Sequence, residues 1–254
     1  MANKHKFKGI VVGLSVVSAC LLYALLIGNS YFLFQAQSNS SAKTIRVTPL
    51  PTPTTAGTNQ PLFFDNFANA SKGWSLGSVS GYSRSIDNSA LTLADANHKT
   101  LTESLPTNTH FDDFIVTVSF TLLQASNDDS VGLYVRGDSN LDHDYRIDIY
   151  GDNSFAINKE LLDSKNIPRV RALVNQTKTS AIHPPGQQNN ITVAMKGSLL
   201  VLRINGSVID TVIDTDYTTG QIALFVQNSN SSSGVEAAFS SVAVYPAPQK
   251  LPSS

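Results

Sequence analysis

The chain has a single cysteine, Cys20, and so no pair from which to build a disulfide. Its 19 acidic residues include only three glutamates, Glu103, Glu160 and Glu236. Charged residues make up 15% of the chain, against roughly 25% in ordinary soluble domains. Lys plus Arg is 18 and the net charge is -1, so the composition supplies no basic face for a nucleic acid. Few Glu and Lys beside abundant Ser, Thr, Asn, Asp and Val argue against a helical bundle. The histidines are scattered with no HExxH pair, and no GxSxG elbow or phosphate loop occurs.

One long apolar run is present. Lys4, Lys6 and Lys8 precede IVVGLSVVSACLLYALLIGNSYFLF, Ile10 to Phe34, which carries no charge. Its 25 residues would span about 37 Å as a helix, enough to cross a bilayer core of ~30 Å. The run exceeds the core of a cleaved signal peptide and ends in Tyr31, Phe32 and Phe34, residues suited to a membrane interface. It reads as an uncleaved signal anchor and a membrane contact. Val17-Ser18-Ala19-Cys20 has the form of a lipobox, but the run stays apolar well past Cys20, which reads as part of the span. The basic residues 1–9 then face the cytoplasm, and the rest of the chain lies outside the cell. Residues 35–61, rich in Ser, Thr, Pro, Asn and Gln, lack any apolar period and read as a disordered stalk. Residues 247–254 read as a loose tail.

Between 62 and 246 the apolar residues recur at every second position. In FIVTVSFTL, Val116, Val118, Phe120 and Leu122 alternate with Thr117, Ser119 and Thr121. VGLYVRG, DYRIDIYG, SFAINKE, NITVAMK, LLVLRIN, VIDTVI, QIALFVQ and VEAAFSSVAVY follow the same rule, the mark of half-buried strands. Asn205-Gly206 predicts a two-residue hairpin, and Gly151-Asp152-Asn153 and Lys196-Gly197-Ser198 predict further turns. The expected fold is all-β: an antiparallel two-sheet sandwich behind one N-terminal transmembrane helix. Trp74, the only tryptophan, is expected in the core.

Four segments carry a resemblance: GLYVRGDSNLDHDYRIDIYGDNSFAINKE, FFDNFANASKGW, NNITVAMKGSLLVLRINGSVI, and GQIALFVQNS with GVEAAFSSVAVYP. Together they resemble concanavalin A-like, jelly-roll domains of bacterial surface proteins. That group includes glycoside-hydrolase-16-like and 3-keto-disaccharide-hydrolase-like members. The resemblance implies a jelly roll over 62–246 and a carbohydrate ligand, in a group of mixed function. The ExDxxE catalytic strand of glycoside hydrolase 16 is absent, so binding without catalysis is the expectation. A glycosidase-like hydrolase is the first alternative, requiring carboxyls from different strands about 5 to 9 Å apart. The second is a structural or sensory ectodomain that contacts protein.

Two constellations are candidate sites. Tyr134, Arg136, Arg146, Asp148 and Tyr150 project from the polar sides of two strands that a short loop makes neighbours. Aromatic faces stack on sugar rings while Arg and Asp bond hydroxyls, so this surface suits a glycan. The competing account is a wet sheet face held by cross-strand pairs. Asp138, Asn140, Asp142 and Asp144 place oxygen donors at alternate loop positions, as calcium requires. His143 and Ile149 stand where an EF-hand needs Gly and Glu, and the alternative is a solvated loop capping its own turns. No other cofactor is indicated.

Overall fold

The computed structural model describes residues 60–70 and 72–251. The apolar segment 10–34, Cys20, the stalk as far as residue 59 and residues 252–254 lie outside the described residues. Every regular element described is a strand. In chain order they are β1 (Phe63–Asp65), β2 (Gly77–Val79), β3 (Tyr82–Asp87), β4 (Ala90–Asp95), β5 (Thr100–Ser104), β6 (Phe114–Gln124), β7 (Ser130–Gly137), β8 (Asp144–Tyr150), β9 (Ser154–Leu162), β10 (Pro168–Lys178), β11 (Gln188–Lys196), β12 (Leu199–Ile204), β13 (Ser207–Ile213), β14 (Gln221–Gln227) and β15 (Val235–Pro246). A nine-stranded sheet runs β13-β12-β11-β6-β15-β4-β3-β2, with β1 also paired to β15. A six-stranded sheet runs β10-β9-β8-β7-β14-β5.

The alternation explains why the sheets stack. On β6, Phe114, Val116, Val118, Phe120 and Leu122 are buried, while Ile115, Thr117, Ser119 and Thr121 are half-buried on the other face. They meet Val131, Leu133 and Val135 of β7, Tyr145, Ile147 and Ile149 of β8, and Ile222, Leu224 and Val226 of β14 in one core. Trp74 joins that core, its Nε1 donating to Asp65 Oδ2 at 2.7 Å. The Asn205-Gly206 turn joins β12 to β13 with φ of 49° and 86°, the left-handed pair that such a hairpin requires.

Alternation did not predict that β7 is buried on both faces: all eight of its residues are. On the side away from the core, Tyr134, Ala223 and Phe225 form a second apolar cluster with Leu141. Gly132 makes that floor flat. A methyl there would sit 1.8 Å from the Ile147 carbonyl oxygen and 3.0 Å from a ring carbon of Phe225.

Gly132→Ala is therefore expected to cost at least about 2 kcal/mol, because the backbone of β8 must move. Denaturant unfolding measures it, and an unchanged midpoint would contradict the β7–β8 register.

Candidate ligand face

Register brings polar residues from four strands onto the outer face of the six-stranded sheet. Tyr134 on β7 lies opposite Arg146 on β8, and Arg146 lies opposite Asn158 on β9. Gly132 lies opposite Asp148, and Asp144 opposite Glu160. On β14, Ala223, Phe225 and Gln227 pair with Tyr134, Gly132 and Ser130.

Arg146 joins these groups. Its Nε and Nη2 donate to Asp148 Oδ1 at 3.0 and 2.7 Å, and its Nη1 to Glu160 Oε1 at 3.2 Å. Nη2 also donates to Gln227 Oε1. The guanidinium sits 4.5 Å from the Phe225 ring centroid and 5.6 Å from that of Tyr134, so its apolar faces rest on aromatic carbon. Asp148 accepts two further bonds, from Ser130 Oγ at 2.9 Å and Asn158 Nδ2 at 3.0 Å. Burial opposes the charge on Arg146, but Asp148, Tyr134 and Glu160 outweigh it and its pKa rises. The layer is tightly closed. Asp148 is fully buried, and the Arg146 side chain is 11% exposed. Tyr150, Asn158, Glu160 and Gln227 are half-buried and form the accessible rim.

Of the five side chains expected on this face, Tyr134, Arg146, Asp148 and Tyr150 share it. Arg136 does not. It is the extra residue of a bulge between β7 and β14, with φ of 53°, and the bulge turns it away. Its guanidinium donates to the backbone oxygens of Asp112 (2.6 Å), Gly197 (2.8 Å) and Tyr217 (3.0 Å), fastening three loops together. Asn158, Glu160 and Gln227 were not singled out in the sequence. The alternation Ser154, Ala156, Asn158, Glu160 in SFAINKE was the available signal for two of them.

Asp144 is the unusual member of the face. It is fully buried, and neither carboxylate oxygen has a hydrogen-bond partner. Burial, reinforced by Glu160 and only partly offset by Arg146, pushes its pKa up to about 8. Glu160 is also raised by burial, against the pull of Arg146. The two carboxyls come from different strands, as hydrolysis would require, with Cβ atoms about 4.5–5.5 Å apart by their register.

The loop 138–143 gathers a different metal-type set from the one expected. Ligand atoms of Asp138, Asp142 and His143 lie within 4.8 Å of one another. Asp144 is not in that group. The Asn140 backbone N–H caps Asp138 at 3.1 Å, and Asp144 belongs to the sheet face. His143 Nδ1 lies 3.1 Å from Asp138 Oδ2 and 2.9 Å from Asp142 Oδ1, and the Asp138 bond leads in raising the His143 pKa. The cluster borders a recess of about 420 Å³ shared with His110, Asp216 and Tyr217. A second groove, about 360 Å³, lies on the nine-stranded sheet beside Val79, Tyr82 and Glu236.

Comparison with known proteins gives one family and a fold. The family model of the 3-keto-alpha-glucoside-1,2-lyase-like domain matches residues 60–244. No curated protein sequence matches. Among solved structures, carbohydrate-binding module CBM66 from Bacillus subtilis is 14% identical, with a TM-score of 0.52 over 68% of this chain and 95% of that one. A family 16 endo-glucanase from Bacteroides ovatus is 12% identical, with a TM-score of 0.54 over 72% and 99%. A protein of unknown function with a galectin-like fold, from Bacillus subtilis, is 14% identical, with a TM-score of 0.55 over 75% and 97%. At such identities the likeness establishes the jelly-roll sandwich, consistent with a concanavalin A-like domain.

Because Asp144 keeps its proton when folded and loses it when unfolded, its stabilising contribution is full below about pH 4 and is lost as the pH rises toward about 8. The slope is at most about 1.4 kcal/mol per pH unit. Asp144→Asn should flatten that fall and raise the melting temperature at pH 8. Melts at pH 5 and pH 8 check this, and identical pH profiles for both proteins would contradict a buried, protonated Asp144.

Proposed function

The chain belongs to the 3-keto-alpha-glucoside-1,2-lyase-like domain family, and from that premise we propose that the outer face of its six-stranded sheet binds carbohydrate. The observation that carries this reading is the layer of Arg146, Asp148, Asn158, Glu160 and Gln227 laid over Tyr134 and Phe225. Sugars present both hydroxyls and an apolar C–H face, and the accessible rim offers the carboxyl and amide groups of Glu160, Asn158 and Gln227 beside the ring of Tyr150. A layer whose rotamers are already fixed by mutual hydrogen bonds loses little entropy on binding. Two of the structural relatives are named for carbohydrate binding and glucan cleavage, which supports the ligand class. The module is displayed outside the cell by the apolar segment 10–34 and the stalk 35–61, and its role is recognition, the ExDxxE strand of glycoside hydrolase 16 being absent.

A divalent cation, calcium being the first to try, binds the 138–143 loop through Asp138 and Asp142 in competition with the His143 proton. Because the raised pKa of His143 keeps it protonated at pH 5.5 more than at pH 8, added calcium should raise the melting temperature at pH 8 and not at pH 5.5. Equal melts in calcium and in chelator at both pH values would remove the cation from the account.

The ligand is tested with the full chain in nanodiscs against cellohexaose, maltohexaose and laminarihexaose by calorimetry. At least one should bind. Tyr150→Ala should weaken that binding about tenfold, roughly 1.4 kcal/mol, without lowering the melting temperature. Val79→Ala, in the groove of the other sheet, should leave binding unchanged. Absence of binding across the panel, or loss through Val79 instead of Tyr150, would contradict the reading.

A further inference from the structure

Asp144 is left out of the polar layer that surrounds it. Arg146 spends its donors on Asp148, Glu160 and Gln227, and no donor reaches either oxygen of Asp144. A buried polar group without partners calls for a reason. The loop between β7 and β8 lies beside it. A Cβ built on Gly137 would lie 2.6 Å from Leu141 Cδ2 and 3.5 Å from Asp144 Cβ, so the leucine tip and the carboxyl side chain abut the same point of the strand. Leu141 continues from there onto Tyr134, Ala223 and Phe225.

Three features make this loop a movable cover. Leu141 has φ of 55°, a left-handed conformation that costs a branched residue and is stored strain. The loop's hydrogen bonds close on itself: Asp138 N to His143 O, Leu141 N to Asp138 O, and the Asn140 and Asp142 amides to Asp138 Oδ1. Its side chains reach the rest of the domain through the packing of Leu141 and an edge contact of His143 with Tyr217 at 6.1 Å, and no hydrogen bond runs from it to the sheet among the described residues. Lifting the loop therefore breaks no hydrogen bond to the sheet. It exposes aromatic carbon beside a carboxyl that has no partner and, directly opposite, Glu160.

We propose that residues 138–143 form a flap whose Leu141 plugs a carbohydrate subsite walled by Asp144 and Glu160, and that a sugar ring bearing adjacent hydroxyls takes the place of Leu141. The inference rests on the carbohydrate reading above and deepens it. The ring's C–H face replaces the leucine methyls on Tyr134. Its adjacent hydroxyls bond the carboxyls of Asp144 and Glu160. The flap then lowers the apparent affinity of the closed protein by the fraction of time that the subsite is open.

The test uses the full chain in nanodiscs with the same three hexaoses and three variants. Leu141→Gly, which suits the positive φ and removes the plug, should bind at least about fivefold more tightly than wild type. Asp144→Leu, of the same branched shape and free of the buried carboxyl, should fold and bind at least about tenfold more weakly. Asp144→Asn, which keeps a donor, should stay within about twofold of wild type. Wild-type affinity in both Leu141→Gly and Asp144→Leu would overturn the flap while leaving the carbohydrate reading intact. Failure of the wild type and all variants to bind any hexaose would overturn both.

Discussion

The guanidinium of Arg146 is the charge on which the outer sheet face depends. It is held between two carboxylates, a glutamine and two aromatic rings, with little of it in water. A buried ion pair contributes little beyond an apolar substitute, yet losing one partner leaves an uncompensated charge, commonly at a cost of about 3–5 kcal/mol. Arg146 therefore acts more as an organiser than as a source of stability. It sets the positions of Asp148 and Glu160 and keeps the tyrosine and phenylalanine faces together. Asp144, one step beyond its reach, is the residue that this arrangement leaves unsatisfied.

That layer exists because the core lies entirely on the other side of the same strands. Val131, Leu133, Ile147, Ile149, Leu224 and Val226 bind the six-stranded sheet to the nine-stranded one. The outer positions are then free of packing demands from the partner sheet and can be polar. Ala223, Phe225 and Gly132 supply the floor on which a charged layer can rest without water beneath it. At the end of the sandwich Arg136 performs a separate task, tying loops at Asp112, Gly197 and Tyr217 so that the strand ends keep their register.

Much of this was legible in the order of residues, and the gaps have physical causes. The alternation found β6–β9 and β11–β15, where one face is apolar and the other polar. It did not find β3, YSRSID, or β5, TLTES, whose apolar residues are too few to show a period. It also missed β10, whose exposed PRVRALVNQTK is broken by two register shifts. Tyr134, Arg146, Asp148 and Tyr150 were readable as one face because period two holds through β7 and β8. Arg136 was misplaced because a bulge adds one residue, and the bulge is set by pairing with β14, some 85 positions away. Glu160 lies on the outer alternation of SFAINKE across the Gly151-Asp152-Asn153 turn, whereas Gln227 reaches Arg146 only through pairing 81 positions away, which local alternation does not encode. The 138–143 loop differs from the strands in this respect. A loop's donors are gathered by its turn geometry, and here that geometry sets His143 beside Asp138 and Asp142, which alternate positions do not encode.

The central claim is that the six-stranded sheet presents the ligand face. Hydrogen–deuterium exchange of the full chain, with and without a saturating hexaose, tests it most directly. The account predicts slower exchange in β7, β8, β9 and β14, with faster exchange in residues 138–143 as the flap lifts. Protection confined to the groove at Val79, Tyr82 and Glu236 on the nine-stranded sheet, with β7–β9 unaffected, would contradict it.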